Sequence, residues 1–277
     1  MEKEKIIAVD WSIFLNMATH AATNLSLPAT YLAMTMILGN LKKIGVNDND
    51  KIFICCDYLS SWRKSFIKTT KEDRKELREK SNIDWDKIYK DFDELLLKVD
   101  LGTDWHVLKL EHLEADDIMS ILCKYYKEKE VVLLTMDSDL EQTWFYDNVK
   151  IFSPHRKCKR YKIRPKNFDI NKVLTKMILT KGHNNLGIPK GTEEYDLKKL
   201  CVDLIELPEW IEKTVINKLN TLPIKGEDVE IIPFDKIRNR YLELKTDKSK
   251  IITYEECVKK LERKKKKSKK KRRVNNG

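Results

Sequence analysis

Seven carboxylates stand out by position. Three apolar runs each lead into an aspartate. Ile6-Ile7-Ala8-Val9 ends at Asp10, and Ile52-Phe53-Ile54-Cys55-Cys56 ends at Asp57. Val131-Val132-Leu133-Leu134-Thr135-Met136 ends at Asp137, with Asp139 two residues on. The tetrapeptide Glu114-Ala115-Asp116-Asp117 stands ahead of the third run and opens a helical pattern. Taken singly, each has an ordinary explanation: aspartate at a strand end is common turn chemistry, and acids in a first helical turn suit the helix macrodipole. Six or seven carboxylates converging on one crevice, however, repel strongly unless cations are present. Such hard oxygen donors suit Mg²⁺ or Mn²⁺, held with several waters and a substrate phosphate. Two ions about 4 Å apart can activate an attacking water and stabilise the leaving oxygen of a phosphodiester. No Gly-rich phosphate loop points to a nucleoside-triphosphate enzyme, so phosphodiester hydrolysis is the best-fitting chemistry.

Convergence depends on the elements that carry these residues. Runs that are apolar on both faces read as buried parallel strands. A helical pattern rich in Leu, Met and Ala spans about Ala29 to Leu41, and Ile118, Ile121, Leu122 and Tyr125 mark one helix face before the third run. Strand and helix alternate, which predicts an α/β fold with a doubly wound parallel sheet. Ligands bind such sheets outside the carboxyl ends of the strands, where the aspartates lie. From Ser60 to about Lys98 the chain is charged, without Gly or Pro, and reads as helix with weak or exposed amphipathicity. Ile163 to Leu222 reads as further helices broken by Gly182, Gly187, Pro189, Gly191 and Pro208, and Ile231 to Phe234 as a short strand.

Composition bounds the partners. Of 277 residues, 41% are hydrophobic, enough for a sizeable core, and the net charge of +11 suggests a polyanionic partner. Lys259 to Arg273 contains twelve Lys or Arg against the single acid Glu262, so this stretch alone holds the whole excess and the remainder is neutral. From about Lys264 the sequence is low-complexity, self-repelling and expected to be disordered. The six cysteines (Cys55, Cys56, Cys123, Cys158, Cys201, Cys257) lack metal spacing and read as free thiols in a reducing compartment. Without signal-peptide architecture or a membrane-length apolar stretch, the expected setting is cytoplasmic and soluble.

Val9-Asp10, Asp57, Glu114-Ala115-Asp116-Asp117 and Thr135-Met136-Asp137-Ser138-Asp139-Leu140-Glu141-Gln142 resemble, in order and spacing, the motifs of the 5′-nuclease (flap endonuclease, PIN-like) superfamily. Trp62-Arg63-Lys64, Ile83-Asp84-Trp85, Asn148-Val149-Lys150 and Ser153-Pro154 look like its T-even phage ribonuclease H branch. The resemblance covers roughly residues 5 to 190. It implies a metal-dependent 5′-to-3′ exonuclease and flap endonuclease that removes primers or flaps in DNA replication. Its implied organisation is a catalytic core at 1–160, a helical arch at about 60–98, a helical region at 161–260 and a disordered basic tail at 261–277. By resemblance, Asp10, Asp57, Glu114 and Asp116 hold a first metal, while Asp116, Asp117, Asp137 and Asp139 surround or bridge to a second. Arg63, Lys71 and Arg74 match in type and order the arch cations that steer the scissile phosphate. Cations facing the metals would stabilise charge developing on that phosphate; the plainer reading is a salt-bridged helix face.

Two departures qualify the match. Where the superfamily supplies further acids after the third strand, this chain has Lys181-Gly182-His183-Asn184-Asn185, so the second metal site is expected to be the weaker. Leu186-Gly187-Ile188-Pro189-Lys190-Gly191 keeps only part of the usual helix–hairpin–helix. Nucleic-acid contact is expected at Lys64, Gly187 and Lys190, and along the tail at Lys264, Lys265, Lys266, Lys267, Lys269, Lys270, Lys271, Arg272 and Arg273. The expected partners are DNA and RNA–DNA with 5′ ends or flaps, and replication proteins such as a single-strand-binding protein or clamp; the chain is expected to be a monomer. Two other readings compete: a nuclease-derived DNA-binding protein impaired in catalysis, and an unrelated phosphatase with Asp10 as nucleophile.

Overall fold

The structure, a computed structural model, describes residues 4–66, 81–155, 160–179, 191–226, 228–244 and 251–274. Strands β1 (Lys5–Asp10), β2 (Lys51–Cys56), β3 (His106–Lys109), β4 (Glu130–Leu134), β5 (Val149–Ser153) and β6 (Arg160–Tyr161) form one sheet. Their order is β3-β2-β1-β4-β5-β6. The first five are parallel, and β6 closes the edge antiparallel to β5. The helices are α1 (Trp11–Leu25), α2 (Ala29–Ile44), α3 (Trp85–Gly102), α4 (Ala115–Tyr125), α5 (Ile170–Leu179), α6 (Glu193–Val202), α7 (Glu209–Asn220), α8 (Asp235–Glu243) and α9 (Tyr254–Val274).

β1 shows why the sheet is central. Ile6 and Ala8 pack on one side with Phe53, Ile118, Leu122, Ile211 and Val215, while Ile7 and Val9 pack on the other with Phe14, Leu41, Phe92 and Trp105. Successive strand residues point to opposite faces, so a run apolar at every position needs helices on both. The α/β expectation holds. Asp10 pairs with Cys55, and Val9 with Leu134, which brings the carboxyl ends of β1, β2 and β4 side by side. The chain leaves the sheet in opposite directions around β1 and β4, the switch point at which such sheets bind ligands.

Three expectations change. The charged segment after Ser60 contains α3, whose Phe92, Leu95, Leu96 and Val99 are buried at helical spacing; the surrounding charge concealed a core stripe rather than an exposed helix. Residues 231–234 form no strand: a 3-10 turn spans Val229–Ile231, and Phe234 adopts φ 68°, a left-handed conformation that extended pairing excludes. α9 continues through the basic stretch to Val274 instead of ending near 261. It starts from a capping box in which the Glu256 N–H donates to Thr253 Oγ1 and the Thr253 N–H to Glu256 Oε2. Lysine and arginine are good helix formers once a helix is under way.

The root of α9 is fixed. The Ile252 N–H donates to the Lys43 carbonyl (2.7 Å), Cys257 is buried, and Lys150 Nζ lies 5.5 Å from the Tyr254 ring centre. Gly45 ends α2 at φ 76°, and a Cβ there would meet Ile251 at 3.0 Å. Cys55, Cys56, Cys123, Cys201 and Cys257 are free and buried; Cys158 lies outside the described residues. Among the described residues, no helix is long and apolar enough to cross a membrane.

Candidate metal centre

Asp10 sits at the end of β1, 3% exposed. Its Oδ1 accepts from Ser12 Oγ and its Oδ2 from Thr135 Oγ1, both at 2.9 Å. Burial lifts its pKa to about 6; the two hydroxyl donors lower it, and Asp57 and Asp137 raise it further. Thr135 does double duty, because the same hydroxyl accepts from the Asp137 N–H (3.0 Å). Asp137 Oδ1 in turn accepts from the Asp139 N–H (2.8 Å), an Asx turn that leads into the 3-10 turn Asp139–Phe145. Lys162 pins this loop from β6: its Nζ donates to the Asp137 carbonyl (3.1 Å) and to Glu141 Oε1 (3.0 Å).

The second half of the site is the start of α4. Asp57 Oδ1 accepts from the Ala115 N–H (2.9 Å), so the end of β2 caps the helix that bears the other acids. Asp116 is partly exposed. Its pKa is raised well above the carboxylate range by burial, then by Asp137, Asp10, Asp57 and Glu114. Five carboxylates drawn from β1, β2, the head of α4 and the loop after β4 therefore share one electrostatic neighbourhood.

Asp117 and Arg63 are placed differently from the reading by resemblance. Asp117 is fully buried: Oδ2 accepts from Trp62 Nε1 (3.1 Å), Arg63 Nη1 (3.0 Å) and the Glu114 N–H (3.0 Å), while Oδ1 accepts from Arg63 Nη2 (2.6 Å). Arg63 also donates to Glu114 Oε2 (2.9 Å) and to the Cys201 carbonyl (2.6 Å), and stacks 4.7 Å from the Trp62 ring centre. Burial opposes its charge, but Asp117, Glu114 and Asp116 outweigh that and raise its pKa. The two residues form a clamp at the back of the acids. Their oxygens and nitrogens are turned to each other and to the backbone.

Residues 6–177, more than half of the chain, match the family model of the 5′-3′ exonuclease N-terminal resolvase-like domain. The chain belongs to this 5′-3′ exonuclease family. Ribonuclease H of Enterobacteria phage T4 is 27% identical over 203 residues, spanning 70% of this chain and 66% of that protein, just under two thirds of its length. Two solved structures are similar at low identity. T5 5′-exonuclease with bound divalent zinc ions gives a TM-score of 0.47 at 14% identity, covering 87% of this chain and 100% of that one. The catalytic core of Rad2 in complex with DNA substrate gives 0.48 at 13%, covering 87% and 91%.

The exonuclease domain spans the whole sheet, and its donor set fits a hard cation: carboxylate oxygens, two of whose bearers carry pKa values raised by burial and then by neighbouring carboxylates. The fit is one of chemistry rather than of a closed cage. Among the described residues, no three His, Cys, Asp or Glu side chains are placed to hold an ion. Of the remaining predicted residues, Lys64 is exposed, its Nζ donating to the Leu59 carbonyl (3.1 Å), and Lys264, Lys265 and Lys266 are exposed on α9. Lys267 and Lys269 to Arg273 continue that helix. Lys71, Arg74, His183, Gly187 and Lys190 lie outside the described residues. An open hollow of about 610 Å³ lies at the opposite end of the sheet, and three lysines lining it are paired: Lys129 with Glu4, Lys150 with Glu130 and Lys5 with Asp50.

Sequence reasoning assigned no role to Thr135, Ser12, Trp62 or Lys162. The first three stood beside or within the quoted motifs. Lys162 had no local signal, since it reaches the loop only by the β5–β6 return.

Proposed function

We propose that this exonuclease-family chain is a divalent-metal-dependent 5′-to-3′ exonuclease and flap endonuclease of the ribonuclease H type. Its substrates would be DNA and RNA–DNA with 5′ ends or flaps, and its role the removal of primers or flaps in replication. The observation that carries the reading is geometric: Asp10, Asp57 and Asp137 lie at or just beyond the carboxyl ends of three adjacent parallel strands, with Thr135 joining Asp10 to Asp137 and Asp57 capping the head of α4. The names of the phage ribonuclease H and of the metal- and DNA-bound relatives support the same chemistry.

In this reading Asp10, Asp57, Glu114 and Asp116 hold one Mg²⁺ or Mn²⁺, and Asp137 and Asp139 face a second, weaker site beside Asp116. Bound ions of this kind supply an activated water and take up charge on phosphodiester oxygens. Ser12 and Thr135 orient the two oxygens of Asp10, and Thr135 keeps Asp137 in register with it. We assign Arg63 and Asp117 as positioning residues that fix Glu114 and the head of α4. Lys71 and Arg74 keep the phosphate-steering role, and Lys64, Gly187, Lys190 and the α9 bases contact the backbone of the nucleic acid. A monomer acting in the cytoplasm, docking on a single-strand-binding protein or clamp, completes the proposal.

Cleavage of a 5′-labelled flap and of a nicked RNA–DNA duplex, with Mg²⁺ and with Mn²⁺, tests it against Asp116→Asn. Activity present in the wild type and lost in the variant is expected. A wild type that binds DNA and cleaves neither substrate would instead favour the catalytically impaired DNA-binding protein, the reading to which the absent acids at 181–185 point.

A further inference from the structure

β4 ends at Leu134, and the Thr135 N–H still donates to the Phe152 carbonyl on β5. Beyond that bond, the stretch carrying Asp137 and Asp139 is held from two sides. On one side the Thr135 hydroxyl accepts from the Asp137 N–H, and Asp137 Oδ1 from the Asp139 N–H. On the other stands Lys162, one residue past β6, whose own N–H donates to the Ile151 carbonyl of β5 (2.8 Å). Its side chain reaches past β5 to the loop. Nζ lies 3.5 Å from the Met136 carbonyl, 3.1 Å from the Asp137 carbonyl and 3.0 Å from Glu141 Oε1. An ammonium has three donors, and here each has an acceptor on this one loop. The side chain is only 20% exposed.

We propose that Lys162 is a positioning residue for the second divalent cation: it fixes the carbonyl side of residues 136–137, so that the Asp137 and Asp139 carboxylates face one ion. The inference rests on the nuclease reading, and it gives the weaker ion a rigid loop in place of further carboxylates at 181–185. Pairing with Glu141 keeps the anchor from adding net positive charge beside that ion. Position and charge pull in opposite directions here, so the sign of one measurement decides between them. Removing the ammonium leaves Glu141 as an uncompensated anion on the same loop, and by Coulomb attraction alone a cation should then bind more tightly. Freeing the loop adds an ordering cost to binding and should loosen it. The Glu141 side chain is 36% exposed, and a charge so close to water contributes little. Loss of position should therefore win.

The test is Mn²⁺ titration of the full chain, free of nucleic acid, followed by electron paramagnetic resonance. Lys162→Met should weaken the most weakly bound Mn²⁺ about 10-fold or more, as for other groups that orient metal ligands. Lys162→Met with Glu141→Gln leaves the pair neutral, should weaken it as much, and decides the matter if the single variant does not fold. Lys162→Arg, which keeps charge and donors, should restore most of the affinity. Lys150→Met removes a lysine of similar exposure that pairs with Glu130 (2.6 Å) away from the acids; it controls for general destabilisation and should keep wild-type affinity. In cleavage, the Mg²⁺ midpoint of Lys162→Met should rise by the same factor, while KM for DNA at saturating Mg²⁺ stays in place. Tighter Mn²⁺ in Lys162→Met, wild-type affinity in the double variant, an arginine no better than methionine, or an equal loss in Lys150→Met overturns the anchor. So does a raised KM with Mn²⁺ affinity unmoved, which would make Lys162 a phosphate contact. If any of these accompanies wild-type flap cleavage, the nuclease reading survives. A wild type that binds no Mn²⁺ overturns the anchor, and takes the nuclease reading with it only if cleavage is absent too.

Discussion

Replacing Asp10 by asparagine should stabilise the metal-free protein at alkaline pH while abolishing its cleavage activity. Asp10 is buried, and its pKa stands at about 6 against an ordinary value of 3.8. A group whose folded pKa is raised binds more protons folded than unfolded, so stability falls as pH rises through the window from about 4 to 6. The full penalty at pH 8 is on the order of 3 kcal/mol, taking 1.36 kcal/mol for each unit. Asparagine imitates the protonated carboxyl, and the hydroxyls of Ser12 and Thr135 can rotate to accept from its amide. The variant should therefore melt about 6–12 °C above the wild type at pH 8 in EDTA, at roughly 2–4 °C per kcal/mol for a chain of this size. At pH 4 the gap should shrink below about 1 kcal/mol. Calorimetry at both pH values measures it, and saturating Mg²⁺ should raise the wild type alone at pH 8. A variant less stable than the wild type at pH 8, or a gap independent of pH, would refute the argument that the carboxylates are held together at a cost which a cation relieves.

Other outcomes follow from the same geometry. Thr135→Val takes the side-chain partner from the part-buried Asp137 N–H and removes the hydroxyl that lowers the Asp10 pKa. It should cost about 1–3 kcal/mol and shift the acid limb of the cleavage pH profile upward; an unmoved limb counts against the role assigned to Thr135. Arg63→Met leaves Asp117 buried without its cation, so chemical denaturation should report a loss of about 3–5 kcal/mol. A loss below about 1 kcal/mol would return Arg63 to the phosphate-steering role first expected. Deleting residues 262–277 should weaken DNA binding and flatten its dependence on salt, with turnover at saturating substrate intact; a fall in that turnover contradicts the assignment.

The sheet was legible because parallel strands covered on both faces must be continuously apolar, and β1, β2 and β4 are. β3 and β5 escaped, being four and five residues long with charged or half-buried members such as His106 and Lys150. α1 escaped because it begins directly after Asp10 and its stripe of Trp11, Phe14, Leu15 and Ala18 is diluted by polar residues. The carboxylates were visible as strand ends. What they do was not. α4 is buried nearly all round, from Asp117 to Cys123, so helical phase cannot say which of two adjacent aspartates faces the crevice. Arg63 could equally have met a phosphate or an acid, and its partners lie 51 and 54 residues away. Chain return decides such pairings, and no local pattern encodes it.

In the proposed reading, the charge distribution makes the role of the tail separable from the chemistry. The crevice is acidic, the body is neutral, and all the excess positive charge lies in the last residues. A polyanion approaching the crevice is repelled until cations occupy it, so attraction at a distance has to come from α9. That helix is rooted at the Lys43 carbonyl, next to Gly45, whose carbonyl accepts from Lys5 at the start of β1. β1 spans six residues from there to Asp10, about 17 Å at the rise of a parallel strand. The 21 residues of α9 then carry its bases along a helix about 30 Å long. In the proposed reading these cations would tether the backbone of the nucleic acid, whereas charge developing at a reactive phosphate would need donors within hydrogen-bond reach. Loss of the tail should therefore appear in KM and in the association rate, both steeply dependent on salt, and leave kcat to the residues around Asp10 and Asp116.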